Sequence, residues 1–168
     1  MPITDSLLPE FDQEMANTRK TLERCPEDKF GWKPHPRSFS LGMLATHLAT
    51  MPEWGADTMK KESLDIAPPD APPFKMEEIT SQKELVAQFD KHVAAMRAEL
   101  AGATDEHFLK PWTLLMTGQP IFTMPRIAVI KGMIINHSIH HRGQLTVYLR
   151  LNEVPLPALY GPSADEQA

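Results

Sequence analysis

The chain has 168 residues, of which 42% are apolar, which suits one domain with a proper hydrophobic core. A formal net charge of -5 and scattered Lys and Arg side chains argue against a nucleic-acid partner. Cys25 is the single cysteine, so an internal disulfide is excluded; the chain starts without a secretory-signal pattern, and it lacks an uninterrupted apolar run of about 20 residues. These totals predict one cytoplasmic domain over residues 1–168 with no membrane partner.

Apolar residues at steps of three and four predict two helices in the first part of the chain. We expect the first helix to be capped by a side chain among residues 4–6 and to end before Pro26. The second is expected to follow a cap at Ser40 and to continue to about Lys60. His47 lies on the inward stripe of this second helix, alone among the apolar residues Leu41, Leu44, Leu48, Met51 and Trp54.

A third helix is predicted from residues 81–84, Ser-Gln-Lys-Glu, which have the spacing of a capping box. Its end is expected near Gly102, and its stripe consists of Val86, Phe89, Val93, Met96 and Leu100. Four prolines within residues 67–74 predict an extended connection before it. Residues 103–124 are predicted to be irregular, with a short strand or a turn at most.

A fourth helix is predicted over residues 125–151, because proline at position 125 suits the first helical turn. Its stripe consists of Ile127, Ile130, Ile134, His137, His141, Leu145 and Tyr148. We expect Gly132 and Gly143 to mark a close approach by another part of the protein. Four stripes of similar length and two long connections predict an all-α fold, a four-helix bundle.

Two histidines of the fourth stripe carry the strongest chemical signal. His137 and His141 lie one turn apart on the inward face, where two imidazoles can bind one divalent ion. A facing helix can supply the third ligand, for which the inward His47 is the candidate. Three imidazoles suit zinc, nickel, iron or copper and leave one coordination position open. We therefore predict a metal site in which a water molecule is activated or a thiol is held as thiolate.

The choice of ligands leaves alternatives open. His140 could pair with His137 at a spacing of three residues in place of His141. His92 flanks the stripe of the third helix and is a weaker candidate ligand. An inward His47 also has a metal-free interpretation as a hydrogen-bonded core residue.

Five further polar residues are given simpler roles. His35 and His107 lie in polar loops and are expected to be solvated. Cys25 precedes a proline at a helix end with no evident base, which argues against a nucleophile. Arg142 and Gln144 flank the histidine turn and either orient a substrate or join helices, of which we favour the structural role.

Two sequence blocks carry a family pattern. The first block spans residues 32–48, from Trp-Lys-Pro to Ala-Thr-His-Leu, and the second and more specific block is His-Ser-Ile-His-His-Arg-Gly-Gln-Leu at residues 137–145. Residues 148–150, Tyr-Leu-Arg, follow, with a tail that contains Pro155, Pro157, Tyr160 and Gly161. In these blocks the chain resembles the DinB-like (DinB/YfiT) superfamily of bacterial metal-binding four-helix bundles.

The resemblance implies an up-down-down-up bundle with long crossings, a metal ion held by His47, His137 and His141, and a homodimer. Some members of this superfamily are thiol-dependent transferases or isomerases that use low-molecular-weight thiols such as bacillithiol or mycothiol. We therefore expect zinc or nickel, with iron as a third option, and a reaction of an activated thiol or water with a small electrophile. The alternatives are a non-catalytic bundle whose ion joins two helices, and a metal-free dimerisation module with buried polar histidines.

Overall fold

Four long helical stretches dominate residues 1–72 and 76–167, the part of the chain that the computed structural model describes. The predicted connection over residues 67–74 contains Pro73 and Phe74, which lie outside the described residues. The helices are α1 (Ile3–Leu22), α2 (Leu41–Lys60), α3 (Gln82–Gly102), a short α4 (Asp105–Leu109), and a last helix built from α5 (Arg126–Val129), a π-helical segment (Ile130–Asn136) and α6 (His137–Leu151). A three-residue 3-10 turn, Glu27–Lys29, follows α1.

The predicted start of α2 is confirmed, whereas that of α1 is wrong. The Ser40 hydroxyl accepts a hydrogen bond from the Met43 N–H at 3.0 Å and so caps α2. Helix α1 begins at Ile3 without a side-chain cap of its own. The Ile3 N–H instead donates to the Asp105 carboxylate at 2.8 Å, so a residue distant in the sequence satisfies the free donor.

Helix α3 begins where the capping box predicted it, but the predicted hydrogen bond of the Ser81 side chain is not made. The Gln82 N–H donates to the Glu27 carboxylate at 2.6 Å, and the Gln82 side-chain amide donates to the Glu23 carbonyl. Residues that follow α1 therefore take the place of the predicted capping box at the start of α3.

The long helices pack around one hydrophobic core with defined relative directions. Helices α1 and α3 are antiparallel, whereas α2 is parallel to α3 and the last helix is parallel to α1. The contacts that set these directions are Asp12–Arg97 and Arg19–Asp90 between α1 and α3, Ala49–His92 and Lys60–Glu99 between α2 and α3, and Glu10–Lys131 and Glu14–Arg142 between α1 and the last helix. No helix of the described residues has the length and apolar content needed to cross a membrane.

Glycines explain one close contact in this bundle, but not the one that was predicted. A Cβ added at Gly55 of α2 would lie 2.3 Å from the Met96 sulfur of α3, so the small residue lets the two helices approach. A Cβ added at Gly132 or Gly143 would meet no atom of the described residues within 4 Å. The expectation of close approach at these two positions is therefore wrong.

Two strands of a three-stranded sheet lie in and just after residues 103–124, for which irregular structure with a short strand or a turn at most was predicted. Strand β1 (Ser63–Asp65) pairs in parallel with β2 (Pro111–Met116), which pairs antiparallel with β3 (Gln119–Pro125). The two turn residues, Thr117 with φ 51° and Gly118 with φ 76°, have the positive φ of a two-residue type I′ hairpin. The Asp65 carboxylate accepts hydrogen bonds from both turn N–H groups, at 3.1 and 2.7 Å. The chain is mostly helical, as predicted, but the all-α prediction misses this sheet.

The last helix is less regular than the continuous α-helix predicted over residues 125–151. Pro125 ends β3 and stands before the first helical residue. Arg126 is buried and fixes this start, because its guanidinium donates to the carbonyls of Thr58 at 3.1 Å, Lys61 at 3.0 Å and Pro111 at 3.2 Å. The π-helical segment then leads directly into His137. Such segments are rare and are often found at functional sites.

Candidate metal centre

Three imidazoles from two different helices meet between α2 and α6. His47, His137 and His141 each offer a ring nitrogen, and these nitrogens all lie within 4.8 Å of one another. The ring centroids are 5.3 Å apart for His47 and His137, 4.8 Å for His47 and His141, and 4.5 Å for His137 and His141. We call these residues the histidine cluster, and the structure brings together all three of the residues selected from the sequence.

Hydrogen bonds orient two of these rings. The Nδ1 atom of His137 lies 3.3 Å from the Met133 carbonyl oxygen, one turn back in the π-helical segment. The Nδ1 atom of His141 lies 2.7 Å from the Gln144 side-chain oxygen. An Nδ1 atom that faces an oxygen acceptor carries the hydrogen, which leaves a lone pair on Nε2.

The two Nε2 atoms of this pair face each other. His137 Nε2 and His141 Nε2 are 2.8 Å apart. With both Nδ1 atoms protonated, two lone pairs meet at this distance and repel. A cation that accepts both lone pairs removes this repulsion, so the donor set of the cluster fits a metal ion.

Burial favours the uncharged form of two histidines of the cluster, His47 and His141. The pKa of His47 is lowered to about 4, chiefly by burial and to a smaller extent by the neighbouring His141 and His137. Burial also lowers the pKa of His141, against the hydrogen bond with Gln144, which raises it; His137 and His140 add to the lowering. Neutral imidazole is the form that binds metal.

The other two candidate ligands lie outside the cluster. His140 is exposed, and its ring packs beside that of His141 with 5.0 Å between centroids. His92 is buried on α3, and its Nδ1 atom lies 3.0 Å from the Ala49 carbonyl oxygen. His92 is therefore a hydrogen-bonded core residue.

The two loop histidines differ from each other. His35 is exposed, as expected, and its Nδ1 atom accepts a hydrogen bond from the Arg37 N–H at 3.2 Å. His107 is half-buried in α4, and its Nε2 atom lies 2.8 Å from the Met59 carbonyl oxygen. The expectation that His107 is solvated is wrong, because the short helix α4 folds back onto the end of α2.

Arg142 joins helices, which confirms the structural role that the sequence favoured. Its guanidinium donates to the Glu14 carbonyl at 2.8 Å, the Glu14 carboxylate at 2.5 Å, the Thr18 hydroxyl at 3.1 Å and the Tyr160 hydroxyl. The Tyr160 hydroxyl in turn donates to the Glu14 carboxylate at 2.7 Å. We call these four residues the arginine cluster, which ties α1, α6 and the C-terminal tail together.

Cys25 has the environment of a structural thiol. It is buried, its sulfur lies 3.7 Å from the Thr21 carbonyl oxygen, and burial raises its pKa to about 12. Such a thiol is not a nucleophile at neutral pH. The expectation that Cys25 takes no part in chemistry therefore stands.

An apolar cavity lies beside the histidine cluster, and the sequence analysis missed it. We call it the hairpin cavity, because residues of β2 and β3 form one side of it. Its volume is about 70 Å³, and its lining consists of His47, Thr50, Met51, Trp54, Thr58, Leu64, Trp112, Leu114, Phe122, Val129, Met133, Ile134 and His137. The alternation of Trp112 and Leu114 before the Thr-Gly turn is the signal that could have revealed the hairpin.

These features define a helical bundle with a three-histidine cluster between two of its helices and an apolar cavity at its side. The family model described as DinB superfamily matches residues 10–145, which include all three histidines. The chain belongs to the DinB superfamily.

Individual proteins are similar to this chain in sequence or in fold. The chain is similar to the Bacillus subtilis (strain 168) protein described as uncharacterized protein YrdA, with 26% identity over 164 residues, which cover 98% of this chain and 92% of that protein. Its fold resembles the crystal structure of a DinB-like protein from Bacillus cereus ATCC 10987, with a TM-score of 0.70, 22% identity and coverage of 95% of this chain and 98% of that one. A DinB-like protein of Bacillus subtilis, YjoA, gives a TM-score of 0.67 at 22% identity, with coverage of 90% and 95%.

Proposed function

We propose that His47, His137 and His141 hold one divalent transition-metal ion, and that the protein is a metal-dependent enzyme. The reaction is the attack of an activated thiol or water molecule on a small electrophilic substrate, as in a thiol transferase or a hydrolase. Zinc or nickel is the preferred ion, and iron is also compatible with imidazole ligands.

One observation carries this proposal: the two Nε2 atoms of His137 and His141 point at each other at 2.8 Å while both Nδ1 atoms face oxygens. Three protein ligands leave a coordination position for a reactant, whereas structural zinc sites are usually closed by four. Such an ion acts as a Lewis acid and lowers the pKa of a water molecule or a thiol beside it.

The residues around the cluster have separate tasks in this reaction. The Met133 carbonyl and the Gln144 side chain hold the two ring orientations. The arginine cluster fixes the position of α6 against α1, and the hairpin cavity places an apolar lining beside His47 and His137.

We extend the proposal to the setting of the reaction. A low-molecular-weight thiol and a small molecule are the proposed reactants, a homodimer is the proposed assembly, and the cytoplasm is the proposed location. The up-down-down-up order is likewise proposed, and the relative helix directions described above support it. The acidic net charge of -5 argues against nucleic acid as a substrate.

Metal analysis of protein purified without a histidine tag tests this proposal. We expect one ion per chain in the native protein, and none in the variants His47→Ala, His137→Ala and His141→Ala. The matched control is His140→Ala, which removes a neighbouring imidazole outside the cluster and should keep the ion. Native protein without stoichiometric metal, after incubation with zinc or nickel, would overturn the proposal and favour the metal-free module.

Turnover separates the enzyme from a structural metal protein. A panel of cellular thiols is offered with small electrophiles, and we expect metal-dependent turnover that His137→Ala abolishes. Activity that persists without metal contradicts the mechanism. If chelation strongly lowers the melting temperature while no thiol or ester substrate reacts, the ion has the alternative role of joining α2 to α6.

A further inference from the structure

The hairpin cavity adjoins the histidine cluster, because two of the three histidines belong to its lining. His47 and His137 belong to its lining, and Trp112, Leu114 and Phe122 of the sheet lie among its remaining walls. Among the residues that the structure describes, the lining contains no Asp, Glu, Lys or Arg side chain. A molecule that reacts at the histidines can therefore extend a second group into surroundings without charge.

The protein already occupies the hydroxyl hydrogens and the Met51 sulfur of the lining, whereas the buried Trp112 indole N–H has no hydrogen-bond partner among the described residues. The Thr50 hydroxyl donates to the Thr46 carbonyl at 3.0 Å, and the Thr58 hydroxyl donates to the Trp54 carbonyl at 2.9 Å. Both hydroxyl hydrogens therefore serve their own helix. The Met51 sulfur accepts a hydrogen bond from Ser138 at 3.0 Å. A charged group placed in the cavity would exchange its hydration for little more than the unpartnered Trp112 N–H, which does not balance the cost of burying a charge.

The size of the cavity limits the group that it accepts. An apolar cavity of about 150 Å³ admits benzene or xenon. The hairpin cavity, at about 70 Å³, admits a smaller hydrocarbon group. A thiol cofactor that carries sugar or peptide groups is both too large and too polar for it. The cavity therefore suits the electrophile and not the thiol.

We propose that the hairpin cavity binds a short, uncharged alkyl group of the electrophilic substrate, whose reacting atom lies at the histidine cluster. This inference rests on the proposed function, because the metal site defines the reacting end. It adds the substrate class: small electrophiles with a linear chain of a few carbons are preferred over those with a charged or bulky substituent.

A series of hydroxamic acids tests this preference in metal-loaded protein, because each member presents the same chelating group and a different chain. From acetohydroxamate to butyrohydroxamate, we expect affinity to rise about fourfold for each methylene. The gain should level off by octanohydroxamate, whose chain exceeds the cavity. Equal affinity for the acetyl and butyryl members overturns the proposal, and so does a gain that continues undiminished to the octanoyl member.

Two tryptophan substitutions in β2 test whether the gain in affinity with chain length arises in the hairpin cavity. Leu114→Trp fills the cavity and should abolish the gain with chain length while acetohydroxamate still binds. Met116→Trp is the matched control, because Met116 is exposed on the same strand and outside the lining, and it should keep the gain. A gain that survives Leu114→Trp in folded protein contradicts the assignment of the chain to this cavity.

Xenon separates a failure of this inference from a failure of the metal site. Methyl NMR of metal-free native protein under xenon pressure should show shifts at Met51 and Met133, which line the cavity, and much smaller shifts at Met1 and Met116, which are exposed and outside the lining. Absence of shifts at the cavity methionines overturns the inference whatever metal binds. If native protein fails to bind acetohydroxamate although xenon enters the cavity, the apolar cavity stands and the open metal site is contradicted.

Discussion

His141 and Arg142 are neighbours on α6, yet they belong to polar clusters of opposite character. Arg142 is 2% exposed, and its guanidinium finds acceptors in Glu14, Thr18 and Tyr160. His141 meets His137 through two Nε2 atoms at 2.8 Å, with Gln144 at its other nitrogen. The protein thus completes the arginine cluster by itself and leaves the histidine cluster with unused lone pairs.

This difference shows how to separate a structural polar cluster from a functional one. A buried charge whose partners all come from the protein stabilises one arrangement of helices, and its removal leaves a partner unpaired. Half-buried imidazoles with lone pairs facing one another cost free energy until an ion binds. The arginine cluster should therefore respond to mutation in stability, and the histidine cluster in metal affinity.

The largest effect should come from breaking the arginine cluster. Arg142→Met leaves the Glu14 carboxylate buried without its cation, and we expect a loss of about 3–5 kcal/mol in the free energy of unfolding. Urea unfolding of metal-free protein measures it. The double variant Glu14→Gln with Arg142→Met removes the orphaned charge and should recover part of the loss. A loss below about 1 kcal/mol would mean that Glu14 and Arg142 behave like an exposed ion pair. The distinction drawn between the arginine cluster and the histidine cluster would then fail.

An intermediate effect should come from the residue that orients His141. Gln144→Leu removes the oxygen at 2.7 Å from Nδ1, and metal affinity should fall about 10–100-fold. Gln144→Glu keeps an oxygen that can only accept a hydrogen bond, and it should preserve the affinity. Titration against a chelator of known strength measures both variants.

His140→Ala is the control for this measurement, because His140 is exposed and outside the cluster. Its affinity should equal that of the native protein. If Gln144→Leu also keeps native affinity, the ring orientation of His141 does not depend on this hydrogen bond.

The smallest effect concerns the tail that supplies Tyr160 to the arginine cluster. The hydrogen bond from Arg150, followed by that from the Leu156 N–H, lowers the pKa of Asp165. The Ala158 N–H lowers the pKa of Glu166, with Arg24 as a further cause. Because both pKa values lie below those of the unfolded chain, their stabilisation is present at neutral pH and is lost as pH falls below about 4.

Hydrogen exchange measures this release of the tail. The protection factors of the Leu156 and Ala158 N–H groups should fall as pH decreases through the lowered pKa values. The double variant Asp165→Asn with Glu166→Gln should have low protection already at neutral pH and little further change. Protection that stays constant in native protein down to pH values at which both carboxylates are protonated would argue against this role of the two carboxylates.

Local sequence signals were sufficient for the positions of the four long helical stretches and for selecting the three histidines that the fold brings together. The Ser40 cap acts on a donor three residues away, and the stripes of α2 and α6 reflect burial at a helical period. His137 and His141 share a face because four residues are close to one turn. Each of these relations joins residues of one helix, so the order of residues in the sequence is enough to predict it.

Relations between distant residues could not be predicted in this way. The free N–H of Gln82 at the start of α3 donates to Glu27 and not to Ser81, and the free N–H of Ile3 at the start of α1 donates to Asp105. Both acceptors are distant in the sequence, so no local capping pattern indicates them. Weak alternation in β2 and β3 gave no firm strand prediction, since strands depend on partners elsewhere in the chain.

The sequence by itself determined a mostly helical fold and the identity of the three inward histidines, because both follow from the period of the α-helix. Only the tertiary structure decided that His47 meets the pair from α6, that oxygens of Met133 and Gln144 turn two lone pairs towards each other, and that the hairpin closes a cavity beside them. The physical reason is that ring orientation and cavity volume depend on contacts between side chains of separate helices and strands. The helical periodicity of the sequence does not predict such contacts.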